Sequence, residues 1–126
     1  MSRPLRLLLI DDDPDDRGHV LQDLHGEFPD VVVEKISDAP DLASALNREA
    51  FDLAMIDYKL RWFNGIAVLK TVKTRRPDCP VILLTEAGRQ EVAVEAMKLG
   101  LDDYIVKEGW HFVRIRAAVH SVLEKT

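Results

Sequence analysis

Residues 5–14 read LRLLLIDDDP, an apolar run that stops abruptly at three aspartates and a proline. A run of that length and character makes a buried strand over 5–10, and Pro14 opens a helix to residue 28 whose apolar stripe is Val20, Leu21, Leu24 and Phe28. The same unit recurs along the chain. A β-branched run at 31–36 is followed by a helix over 40–50 carrying Leu42, Ala45 and Leu46. A strand at 53–56 precedes a helix over 64–75 with Ile66, Leu69 and Val72 facing inward. Pro80 introduces a strand at 81–84, and the helix over 89–99 stops at Gly100, a favourable residue just past a helix end. A short strand at 104–106 leads to a last helix over 110–123, striped by Phe112, Ile115, Val119 and Val122. Five strand–helix pairs in strict alternation predict an α/β fold, a single doubly wound (βα)5 domain with a parallel five-stranded sheet and helices on both faces. Runs without polar alternation agree, because parallel strands are buried on both sides.

Composition narrows the class of function. The chain has 126 residues, 22 acidic and 17 basic, for a net charge of −5. One domain of common size is implied, spanning 1–126, with no linker and no output domain. No apolar run is long enough for a leader or a membrane span, so a cytoplasmic protein without membrane contact is expected. Direct nucleic-acid binding is disfavoured, since neutralising phosphates needs clustered Lys and Arg. The single cysteine, Cys79, excludes an internal disulfide and reads as a small buried hydrophobe. His19, His25, His111 and His120 show no metal-ligand spacing and read as surface residues.

In a doubly wound sheet, ligands bind outside the carboxyl ends of the strands. Those ends are marked here by Asp11 and Asp12, Asp57, Thr85 and Lys107. Part of the acidic tract has a purely structural reading: Asp13 caps the helix opened by Pro14, and Asp15 and Asp16 complement the helix dipole. Asp11 and Asp12 are left over at the mouth of a buried strand. If Asp57 lies beside them, each close like-charge pair costs about 4 kcal/mol at 4 Å and an effective dielectric near 20. Such a cluster must protonate, spread or bind a cation, and hard oxygen donors with room for water favour Mg²⁺. An EF-hand loop does not fit, because its glycine and terminal glutamate positions fall on Asp16 and Gln22. The five aspartates within 11–16 also account for the whole charge excess, since removing them leaves 17 acids against 17 bases.

The ordered pieces LLIDDDP (8–14), MIDYKL (55–60), Gly65 eight residues past Asp57, PVILLTEAG (80–88) and GLDDYIVK (100–107) closely resemble the receiver domain of two-component response regulators. The resemblance implies the flavodoxin-like strand order 2-1-3-4-5. It implies that Asp57 is the phosphoacceptor, taking a phosphoryl group from a histidine kinase or phosphotransfer protein, or from a small acyl phosphate. Asp12, Asp57 and the backbone carbonyl of Lys59 would hold Mg²⁺, with Asp11 acting mostly through water. Lys107 and Thr85 would contact phosphoryl oxygens, and Tyr104 would be the aromatic switch. Output to an effector would then run through the fourth helix, fifth strand and fifth helix, with a homodimer as one form. The chain would be no enzyme beyond phosphorylating and dephosphorylating its own aspartate.

Several positions depart from the family pattern. Glu108 follows Lys107 where receivers have a cis proline, and since a cis non-proline bond costs roughly 2.5–4 kcal/mol, a trans bond is expected. Glu86 follows Thr85 and is expected to screen the site. Lys59 and Ala87 occupy positions that tune phosphoryl lifetime in the family. Arg61, Trp62 and Phe63 form a candidate docking surface beside Asp57. These departures keep open a receiver-like interaction module that works without phosphate. A metal-dependent phosphohydrolase built on Asp11 and Asp13 is a weaker reading, because the chain lacks the cap insertion and length of such enzymes.

Overall fold

The computed structural model describes residues 4–48, 51–58, 60, 64–85, 90–106 and 111–124. Five strands alternate with five helices in chain order: Arg6–Ile10 (β1), Pro14–Glu27 (α1), Val32–Ile36 (β2), Ala39–Arg48 (α2), Leu53–Asp57 (β3), Gly65–Arg75 (α3), Val81–Thr85 (β4), Gln90–Lys98 (α4), Asp103–Val106 (β5) and His111–Glu124 (α5). All strand pairs are parallel, in the order β2-β1-β3-β4-β5. The expected elements are all present, with ends within two residues of the sequence reading, the usual uncertainty of a helix or strand terminus.

Side chains alternate across each strand and so build two cores. Leu8 and Ile10, Ala54 and Ile56, and Val81 and Leu83 pack on one face with residues of α2, α3 and α4. Leu7 and Leu9, Leu53 and Met55, and Ile82 and Leu84 pack on the other with Val20 and Leu24 of α1 and Ile115, Val119 and Val122 of α5. The central strands β3 and β4 are buried along their whole length, as a parallel sheet covered on both faces requires. β2 departs from the expectation of burial on both sides: Val32 is 44% exposed and Glu34 and Lys35 lie toward solvent. The cause is its place at the sheet edge, where two charged residues within five keep an open strand from pairing with another chain.

Helix ends follow the expected chemistry. Asp13 Oδ1 accepts the Asp15 N–H at 3.0 Å, which makes Asp13 the cap of α1. Past α4, Gly100 takes a φ of +96° and Leu101 N donates to Ala96 O at 3.1 Å, the left-handed ending that glycine adopts without a Cβ penalty. No described helix is long and apolar enough to cross a membrane.

Candidate functional site

The sheet register decides which polar residues meet. Ile10 pairs with Ile56, so Asp11 and Asp57 leave adjacent strands side by side, about 4.8 Å apart in the hydrogen-bonding direction. Asp57 pairs with Leu84, and Thr85, one residue further along β4, pairs with Val106, so Thr85 closes β4 at the same end of the sheet. Lys107 itself, with Lys59, Arg61, Trp62, Phe63, Glu86, Ala87 and Glu108, lies outside the described residues, and so do the expectations placed on them.

Within the described residues, this end of the sheet holds all three buried polar side chains: Asp11 at 0%, Asp57 at 4% and Thr85 at 2% exposure. Asp12 is half-buried beside them. One carboxylate oxygen of Asp11 accepts the Asp13 N–H at 3.0 Å, so at most its second oxygen faces a ligand. The Thr85 hydroxyl is buried and makes no hydrogen bond among the described residues, a state that costs about 1–3 kcal/mol when no partner is found. Leu83 pairs with Tyr104, which places Tyr104 and Thr85 on the same face of the sheet, with Tyr104 half-buried against the α3–α4 core. Among the described residues no group of three or more His, Cys, Asp or Glu side chains is gathered closely enough to hold a metal by itself.

Two residues shape this end in ways the sequence did not specify: Gly65, noted above for its spacing from Asp57, and Arg17. Gly65 N donates to Tyr58 O at 2.9 Å, closing the segment after Asp57 on itself. A Cβ at Gly65 would stand 2.6 Å from Tyr58 Cα and 3.1 Å from Asp57 O, so only glycine lets α3 start this close to the end of β3. Asn64, with its side chain accepting Ala67 N at 2.8 Å, caps that helix. The Arg17 guanidinium donates to Asp11 O at 3.0 Å. The signal for Gly65 was its position directly after a capping asparagine. A side chain bonding a carbonyl six residues back, as Arg17 does, has no sequence signature.

The other candidates fall elsewhere. Cys79 lies beyond the opposite end of the sheet, where burial pushes its thiol up to about 11, so it is an inert hydrophobe as expected. His120 is a surface residue with an assignment: its ring meets Glu27 at 2.8 Å and packs on Phe28 with ring centres 4.8 Å apart, tying α5 to α1.

Comparison with known proteins follows the same residues. The model of the response regulator receiver domain matches residues 7–120. The chain is 28% identical to the two-component response regulator PhoP of Pseudomonas aeruginosa over 97% of its own length and 53% of PhoP. It is 30% identical to the regulatory protein LuxO of Vibrio cholerae over 76% of its length and 21% of LuxO. It therefore spans about half of one curated relative and a fifth of the other. The receiver domain of NtrX from Brucella abortus superposes with a TM-score of 0.86 at 29% identity, covering 95% of this chain and 99% of that one. With strand order and family model in agreement, the chain belongs to the response regulator receiver domains of two-component signalling.

Proposed function

We propose that the chain is a phosphorylatable switch in which Asp57 is the phosphoacceptor. The observation that carries this reading is the burial of Asp57 at the carboxyl end of the central strand, at the same end of the sheet as buried Asp11 and buried Thr85. A carboxylate oxygen of Asp57 attacks the phosphorus of a phosphohistidine on a histidine kinase or phosphotransfer protein. The new O–P bond forms as the N–P bond breaks, and the imidazole leaves with its electron pair. With acetyl phosphate the leaving group is acetate. Such transfer relies on positioning and on neutralising the equatorial oxygens rather than on elaborate acid–base chemistry.

The donor set suits Mg²⁺. This ion takes one or two carboxylates and keeps several waters, so Asp12, Asp57 and the Lys59 carbonyl, with Asp11 through water, suffice without a cage of three side chains. When bound it supplies positive charge to the transferring phosphoryl group. Lys107 supplies a second positive charge, and Thr85 donates its otherwise unpartnered hydroxyl to a phosphoryl oxygen. Thr85 moves toward the phosphoryl group, Tyr104 turns inward behind it, and the population shifts over the α4–β5–α5 surface. That surface suits a partner: Val94 and Met97 of α4 are more than half exposed, and a shallow depression of about 240 Å³ runs between β5 and α5 beside Tyr104.

Incubation with Mg²⁺ and acetyl phosphate, followed by intact-mass measurement, is expected to add one phosphoryl group to the native chain and none to Asp57→Asn. A native chain that stays unmodified points to the interaction module that works without phosphate. Modification lost in Asp11→Asn but kept in Asp57→Asn points to the hydrolase.

A further inference from the structure

The acidic loop after β1 is tied to its surroundings through backbone and side-chain hydrogen bonds. Asp11 N donates to Ile36 O of β2 at 3.2 Å, and Asp13 N returns to Asp11 Oδ1 at 3.0 Å. Arg17 N closes on Asp13 O at 2.9 Å, and the half-buried Arg17 side chain reaches back so that Nη1 donates to Asp11 O at 3.0 Å. The backbone bond is the one any residue makes at this helical position; the guanidinium bond is particular to Arg17 and ties the first turn of α1 back to the end of β1.

We propose that Arg17 is a positioning residue for the cation site: it holds the Asp11 carbonyl, and with it the segment carrying Asp11 and Asp12, in the geometry that a hard divalent cation needs. The inference rests on the Mg²⁺ reading above. Two physical effects of Arg17 oppose one another and give opposite signs. As a positive charge near the site, Arg17 repels a cation, so its removal tightens binding. As a scaffold, it spares the cation the cost of ordering the loop, so its removal weakens binding. Partners that orient metal ligands without touching the metal are typically worth 10–100-fold in affinity.

Calorimetric titration of the full, unphosphorylated chain with Mg²⁺ separates these effects. Arg17→Ala is expected to bind Mg²⁺ about tenfold more weakly than the native chain, and Arg17→Lys, which keeps the charge and one donor, to fall between them. Without Mg²⁺, amide exchange at Asp13 is expected to speed up in Arg17→Ala while amides in β3 and β4 keep their protection. This pattern distinguishes a loosened loop from a misfolded chain. Tighter or equal Mg²⁺ binding in Arg17→Ala overturns the proposal, as does unchanged exchange at Asp13. Asp12→Asn is the separate control. Its loss of Mg²⁺ uptake upholds the metal site whatever Arg17 does, whereas a native chain that takes up no Mg²⁺ removes both the site and the role of Arg17.

Discussion

The two ends of the sheet use the same polar residue types for opposite purposes. At the amino end, Asp52 accepts the Arg6 N–H at 2.8 Å, and Asp102 Oδ2 accepts both Val81 N at 2.8 Å and Lys73 Nζ at 3.1 Å. Lys73 also donates to Cys79 O, and Arg76 forks onto Leu46 O. These bonds satisfy backbone groups where β1 and β4 begin and where α2 ends, groups that have no ladder or helix partner. At the carboxyl end, Asp57 and Thr85 are more deeply buried, yet the Thr85 hydroxyl has no hydrogen bond among the described residues. One end spends its polar side chains on backbone groups; the other buries a hydroxyl that a ligand can engage. A fold that sacrifices stability at one place and recovers it at another commonly marks the first place as functional.

The contrast is most sharply tested at Gly65, where the architecture and the site touch. In Gly65→Ala the new Cβ meets Tyr58 Cα at 2.6 Å, a backbone atom that cannot rotate away. Overpacking of this kind costs about 1–3 kcal/mol, and the shift needed to relieve it passes directly to Asp57. Urea denaturation is expected to show that loss, and phosphoryl uptake from acetyl phosphate to slow at least tenfold, on the order of the cost of a misplaced reacting group. Unaltered uptake would mean that the segment after β3 yields without moving the aspartate.

Asp102→Ala tests the amino end alone. Its ion pair with Lys73 is partly exposed and contributes little, but the Val81 N–H loses its acceptor, for an expected destabilisation of about 1–2 kcal/mol. Phosphoryl uptake is expected to stay at the native rate, because β4 carries Thr85 at its opposite end. A parallel loss of uptake would erase the distinction between the two ends.

Most of the fold was legible in the sequence because its signals are local and repeated. Each apolar run is of strand length, and each stripe, such as Leu42, Ala45 and Leu46, has the helical period. β2 was read as a strand and placed at the edge by the family order, but its β-branched run alone did not announce its exposure; Glu34 and Lys35 were the local sign of an edge. Strand order came from family resemblance, since alternation alone fixes no neighbours. The site row could be named from the residues that end each run, because parallel pairing puts those ends together. Arg17 and the close packing of Gly65 were not legible, since both depend on how α1 and α3 approach the strands in space.

Thr85→Val carries the smallest change and the most information. The substitution keeps the β-branched shape and removes the buried hydroxyl that has no partner. If that hydroxyl is a stored cost, the variant is as stable as the native chain or gains up to about 1 kcal/mol, an unusual result for a substitution within the core. Phosphoryl uptake at Asp57 is expected to persist, because the attacking oxygen and its cation donors are untouched. What should disappear is the response of the α4–β5–α5 face, read as the shift of the Tyr104 amide resonance on adding beryllofluoride. A clear destabilisation by Thr85→Val would show that the hydroxyl is already satisfied in the resting state. The switch would then have to draw its driving force from Asp57 alone.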